Sequence, residues 1–359
     1  MEVSKISASS LQRFMTCNGF LTLDLPRQEQ SEAAAEGEAF HDLLECYVKA
    51  LPIADVAKNG KRFDTDMHFY AKVYAPQIPT TSDSELKCDF QVNDKIKISG
   101  RYDYVWEEDG GDTLVVADIK YGYMPVDVKD NWQLIAYAIG ELIKRQKSYN
   151  KITLRIIQPR AHHEDGPVRD CNLTTEQLYE FFKVIKHTVD QFSEGKIHFT
   201  TSSNCKYCAA AATKCAALTK AFYNSVDVVL NKQVSDDLSN DEISSMLYLY
   251  DRIKDLFKIK MDSIQELAKS KIKSGEILQG YDLKESFGNR TWNENFNPDN
   301  ILMLTGIDLS EKVLISPAKA EKILDKKVIQ NFTKREFKGF NLVATDHSKL
   351  ANNIFNKGE

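Results

Sequence analysis

Gly100-Arg101-Tyr102-Asp103-Tyr104-Val105-Trp106 and Leu114-Val115-Val116-Ala117-Asp118-Ile119-Lys120 decide the reading of this chain. Both runs are rich in β-branched and aromatic residues, so each is expected to be a strand. Between them lies Glu107-Glu108-Asp109-Gly110-Gly111-Asp112-Thr113, a turn sequence with a central glycine pair. Each strand carries an acid in apolar surroundings. A carboxylate there costs several kcal/mol unless it is paired or binds a metal. Folding the hairpin symmetrically about the glycine pair sets Asp103 opposite Asp118. Strand alternation then puts Lys120 on the face of Asp118. Two close carboxylates repel unless a divalent cation sits between them, and the lysine is placed to orient or help deprotonate a bound water. The plainer alternative is an Asp118–Lys120 ion pair with Asp103 facing solvent.

Working outward, Phe40, Leu43, Leu44, Tyr47, Val48 and Leu51 recur at helical spacing over residues 31–51, with Pro52 as the stop and His41 at the edge of the stripe. Ser7-Ala8-Ser9-Ser10-Leu11 opens a short helix to about Cys17. Strands are expected at 86–92, 96–106, 113–121 and 151–158, and helices at 129–147 and from Thr174 to Phe192. This order predicts a mixed α/β fold with a central sheet flanked by helices. Polar residues scattered over 222–239 read as a linker. A long helix over 240–273 follows, then a small α+β region in which Ser316-Pro317 starts the clearest helix. The expected division is 1–221, 222–239 and 240–359.

The 359 residues carry a net charge of −5, which excludes a uniformly basic nucleic-acid coat but not a local basic channel. No apolar run is long enough to cross a bilayer. Met1–Lys5 has no apolar signal region. The expected location is cytoplasmic, or the host cytoplasm for a phage-encoded chain.

Four features occur in a fixed order: Gly37-Glu38-Ala39-Phe40-His41 on a helix, Asp103 in a strand, Asp118-Ile119-Lys120 in the next strand, and Gln133-Leu134-Ile135-Ala136-Tyr137 on a helix. Together they resemble the RecB-type nuclease domain of the PD-(D/E)xK superfamily. The resemblance implies a restriction-endonuclease-like α/β core and metal-assisted hydrolysis of phosphodiester bonds in DNA. By that resemblance His41, Asp103, Asp118 and the carbonyl of Ile119 would ligate Mg²⁺ or Mn²⁺. Lys120 would activate the attacking water, and Gln133 and Tyr137 would position DNA or Lys120. Arg101 and Tyr121 are candidate DNA contacts. The Gln133/Tyr137 motif implies an exonuclease working at DNA ends. A non-catalytic DNA-binding or scaffold protein with the same fold remains the alternative.

There are seven cysteines, and an odd number argues against a disulfide framework. Cys205-x2-Cys208-x6-Cys215 suits Zn²⁺ or an iron–sulfur cluster, and Cys17 is the candidate fourth ligand. The segment from Ser7 to Cys17 resembles the opening of AddB-like iron–sulfur nucleases, which implies a four-iron four-sulfur cluster on Cys17, Cys205, Cys208 and Cys215. That pattern usually has five residues between its last two cysteines, where this chain has six. Such a crosslink would be a staple worth about 5 kcal/mol on the loop-entropy estimate. Cys46, Cys88 and Cys171 are scattered and read as structural.

In the C-terminal third, Ser286–Trp292 and Leu314–Lys322 resemble the tails of phage-encoded nucleases of this type. Lys334 and Arg335 belong to a basic cluster interleaved with Phe332, Phe337 and Phe340. They are candidate DNA contacts, the alternative being a solvated face over a small core. DNA is the expected partner. A phage recombination or replication protein is a further expected partner of this region.

Overall fold

The computed structural model describes residues 4–25, 31–231 and 238–283, all within one unit of the chain, Met1–Asn293. The expected hairpin is there. Strand β5 (Tyr104–Glu108) pairs antiparallel with β6 (Thr113–Ile119), from Tyr104↔Ala117 to Glu108↔Thr113. That is the register of symmetric folding about Gly110-Gly111. Both glycines are left-handed (φ 68° and 98°), a region closed to most side chains.

Around this hairpin the chain builds a mixed sheet. Strand β7 (Lys151–Ile157) lies parallel to β6, and β8 (Val168–Leu173) and the two-residue β2 (Asp83–Ser84) complete the order β2-β5-β6-β7-β8. A parallel pair cannot be joined by a tight turn. Helix α4 (Trp132–Arg145) makes the crossover, started by Asn131, whose side chain accepts the Leu134 N–H. A second sheet joins β1 (Ser4–Ser7), β4 (Ile96–Arg101) and β3 (Lys87–Gln91) in the order β1-β4-β3, with β1 and β4 parallel.

Every residue of β6 is buried, as expected of a central strand covered on both faces. Leu114 and Val116 pack with α1 (Leu11–Thr16), α4 and α5 (Thr175–Ser193). Val115, Ala117 and Ile119 pack with α2 (Glu32–Lys49) and α3 (Thr65–Tyr74). Each of these Leu, Val and Ile side chains contributes about 1.5–3 kcal/mol. Alternation turns Asp118 toward α4.

Three expectations are corrected. The strand expected over 96–106 breaks at Tyr102-Asp103, where the chain passes from the small sheet to the large one. The break has a cause: the Asp103 carboxylate, not a backbone carbonyl, accepts the Ile119 N–H at 2.6 Å. Residues 4–7 form a strand, and the α-helix starts only at Leu11, after a 3-10 turn at Ala8–Ser10. The expected linker is helical as far as Asn231, as part of α6 (Ala216–Asn231). Helix α7 (Asn240–Lys273) matches the long helix closely. Its Lys260 ammonium donates to the carbonyls of Ala211 and Ala212, which docks it on the cysteine segment. The calls on Ser286–Trp292, Leu314–Lys322, Ser316-Pro317, Lys334 and Arg335 lie outside the described residues.

Candidate metal centre

Strand β6 ends at Ile119, and the candidate site is assembled around that one peptide. Its N–H donates to Asp103 Oδ2, while its carbonyl oxygen lies 3.0 Å from His41 Nε2. His41 comes from α2, on the opposite sheet face from α4, and is placed there because its neighbour Phe40 is a fully buried core residue. Its other ring nitrogen, Nδ1, is 3.4 Å from Asp103 Oδ1 and 4.0 Å from Glu85 Oε1.

Asp118 forms the other half. It is 2% exposed. Its Oδ1 accepts from Gln133 Nε2 at 3.0 Å, and its Oδ2 is left to the Lys120 ammonium at 2.8 Å. Gln133 and Tyr137 share one face of α4 because they are four residues apart, and Gln133 Nε2 also donates to Tyr137 Oη at 3.2 Å. Gly100 makes that arrangement possible. A Cβ at position 100 would stand 2.7 Å from the Tyr137 ring and 2.9 Å from Ala8 Cβ.

The charges are interdependent. Burial alone would lower His41, yet the neighbouring Asp103 carboxylate raises it to about 9. Burial would raise Asp103, but His41 holds it below the usual carboxylate range. Asp118 is pushed up by burial and by the like charge of Asp103, against the pull of Lys120. Burial works against the Lys120 ammonium, but Asp118 outweighs it and holds Lys120 above its ordinary value. Asp118 is thus paired with Lys120, and Asp103 with His41.

The carboxylate and carbonyl oxygens of the donor set suit a hard divalent cation. The 3.0 Å between His41 Nε2 and the Ile119 carbonyl oxygen is a hydrogen bond. Among the described residues, the three side chains whose ligand atoms lie within 4.8 Å of one another are His41, Glu85 and Asp103. Asp118 is outside that trio and is turned to Lys120 and Gln133.

Sequence reasoning missed Glu85. It sits at φ 54°, in the left-handed region, and its N–H donates to the Asp103 carbonyl at 3.2 Å. Nothing in Asp83-Ser84-Glu85-Leu86 signals that conformation. Arg101 reaches Glu85 at 3.7 Å and is exposed, at the rim of the site. The reading of Tyr121 as a DNA contact is corrected: its ring is buried between Phe40 and Arg160.

The thiols lie elsewhere. Cys17, Cys205, Cys208 and Cys215 line one shared cavity and are all free. Hydrogen bonds draw residues 13–24 onto 196–215: Arg13 Nη2 to the Tyr207 carbonyl at 2.7 Å, Gly19 N–H to that of His198 at 2.9 Å, and Asn18 Nδ2 to that of Lys196 at 3.1 Å. Two sulfurs accept backbone N–H groups at 3.4 Å, Cys205 from Ser202 and Cys215 from Leu218. Among the described residues no three cysteine sulfurs fall within 4.8 Å of one another. A single zinc, with Zn–S bonds of about 2.3 Å, would hold them roughly 3.8 Å apart.

Compared with known proteins, the chain matches a family model over residues 4–344. It belongs to the family described as "Protein of unknown function (DUF2800)". None of the curated proteins matches it. Among the described residues no helix is long and apolar enough to cross a membrane.

Proposed function

We propose that this protein is a metal-dependent DNA nuclease with a PD-(D/E)xK core of the RecB type, an exonuclease acting at DNA ends in phage or bacterial recombination, replication or repair. The observation that carries the reading is the Ile119 peptide, which brings Asp103 and His41 together beside Asp118 and Lys120. Mg²⁺ or Mn²⁺ would be held by His41, Asp103, Asp118 and the Ile119 carbonyl, and would supply Lewis acidity and an activated water.

The chain's own groups have separable tasks. Lys120, held as a cation by Asp118, presents N–H donors to phosphodiester oxygens and offsets the charge that develops on them. Gln133 fixes the Asp118 carboxylate through Oδ1, and Tyr137 fixes Gln133. The preference for DNA ends rests on these two residues and their resemblance to the exonuclease motif. A four-iron four-sulfur cluster on Cys17, Cys205, Cys208 and Cys215 would tie the start of the fold to its last segment. The support for a shared group is that all four thiols line one cavity.

A second reading has one observation in its favour: Asp118–Lys120 and Asp103–His41 already neutralise each other, as in a non-catalytic DNA-binding or scaffold protein. Cleavage decides between the two. Labelled linear DNA is incubated with Mg²⁺ or Mn²⁺, with metal omitted as control. Wild type should cleave, and Asp118→Ala and Lys120→Ala should each lose at least about a hundredfold in rate, the scale of removing a group that stabilises transition-state charge. Equal cleavage by all three proteins would overturn the site assignment, and metal-independent binding with no cleavage would favour the scaffold.

A further inference from the structure

A column of stacked groups rises from the core beside the candidate centre and ends at the surface. Phe40 is fully buried and stacks on Tyr121, with ring centroids 4.2 Å apart and planes at 19°. The Arg160 guanidinium lies 4.3 Å from the Tyr121 centroid, and two groups so close to one centroid must take its opposite faces. The same guanidinium lies 3.9 Å from the Tyr123 centroid, and its Nη1 donates to Glu36 at 3.0 Å. The order from inside to outside is Phe40, Tyr121, Arg160, Tyr123. The last ring is 68% exposed, with exposed Met124 beside it.

The lower steps of the column adjoin the site directly. Phe40 precedes His41, and Tyr121 follows Lys120. Tyr123 is three residues beyond Lys120, a chain reach of at most about 11 Å. An exposed tyrosine on a loose loop would mean little, but this loop is clamped. Buried Gln158 donates through Nε2 to the carbonyls of Gly122 (2.9 Å) and Met124 (2.7 Å), and its Oε1 accepts the Val126 N–H at 3.0 Å. Arg169 Nη2 donates to the same Oε1 at 2.7 Å and to the Val126 carbonyl at 2.8 Å. The clamp fixes a flat aromatic surface, electrostatically backed by the Arg160 guanidinium, within a few residues of the centre.

We propose that Tyr123 is a stacking platform for one unpaired nucleobase of the strand whose phosphodiester is cleaved. The substrate would then be single-stranded DNA, or a duplex end whose terminal pair has opened. Sequence-tolerant stacking of bases on aromatic faces is how single strands are held without base reading. A paired base already stacks on both sides and cannot use the platform. This inference rests on the nuclease reading of the neighbouring site, and it gives that reading a substrate class.

The test reads binding rather than cleavage. Full-length protein is titrated in EDTA against a fluorescein-labelled single-stranded decamer and a blunt hairpin duplex without unpaired ends. Tyr123→Ala should weaken the decamer about 5- to 150-fold, the equivalent of roughly 1–3 kcal/mol for one stacked base. Its effect on the hairpin should be less than about twofold. Tyr123→Phe keeps the ring and should bind the decamer within about threefold of wild type. Moving one abasic site along the decamer should find a position where wild type and Tyr123→Ala bind alike. Equal decamer binding by wild type and Tyr123→Ala would overturn the platform and leave the nuclease reading standing. So would equal losses on decamer and hairpin. If wild type bound neither DNA, the platform would fall, while the nuclease reading is decided separately by cleavage in Mn²⁺.

Discussion

Replacing Lys120 with alanine separates a cation site from an ordinary buried ion pair. Asp118 is 2% exposed and has two polar partners, Lys120 at 2.8 Å and Gln133 at 3.0 Å. Lys120→Ala leaves a buried carboxylate with one neutral donor. Removing one partner of a buried pair costs about 3–5 kcal/mol. The lysine side chain is 30% exposed, so water repairs part of the loss, and about 3 kcal/mol is expected. For a unit of 293 residues that lowers Tm by about 5 °C. A divalent cation can replace the missing charge. Mn²⁺ at a hundred times its Kd should restore about 2.7 kcal/mol. Thermal denaturation in EDTA and in MnCl2 measures both effects. Lys120→Ala should be destabilised in EDTA and recover most of the loss with Mn²⁺, while Asp118→Ala should gain nothing from Mn²⁺. A Lys120→Ala protein that loses stability in EDTA and is not restored by Mn²⁺ would refute the cation site. It would leave only the ion pair.

Further outcomes follow from the same contacts. Gly100→Ala pushes a methyl to within 2.7 Å of the Tyr137 ring; about 1–3 kcal/mol of overpacking is expected, with a fall in cleavage rate and little change in DNA binding, read by chemical denaturation and single-turnover kinetics. Glu107 is held below the usual carboxylate range by the Tyr149 hydroxyl at 2.5 Å and by Lys147 at 3.1 Å. Its stabilisation is therefore present above the unfolded value of about 4.3 and is lost as pH falls through the lower folded value, so Glu107→Gln should flatten the acid limb of a stability–pH curve. Cys205→Ser should remove the brown colour and iron from anaerobically purified protein and lower its Tm; unchanged iron content would exclude Cys205 as a ligand.

The hairpin was legible because its information is local. Two apolar runs around Gly110-Gly111 admit one symmetric register, and burial of both faces of β6 left Asp118 and Lys120 conspicuous. Helices α2, α4 and α5 were legible from periodicity, and α5 also from its opening Thr174. Asp103 was legible as an acid but not as the residue that breaks its strand, because the break depends on an Ile119 N–H sixteen residues away. Helix α3 escaped because Thr65–Tyr74 mixes apolar and polar residues with only a narrow buried face. Glu85 escaped because its role depends on a left-handed backbone that glutamate does not advertise. Tyr123 was overshadowed by Tyr121, and only the fold shows which of the two rings reaches solvent.

The most direct measurement of the central claim is an anomalous difference map from crystals soaked in Mn²⁺. The account predicts one strong peak within bonding distance of the Ile119 carbonyl oxygen, with Asp103 and Asp118 as further ligands, and its disappearance in Asp118→Ala crystals. Full Mn²⁺ occupancy elsewhere, with the Asp118–Lys120 and Asp103–His41 pairs intact and no peak at Ile119, would contradict it.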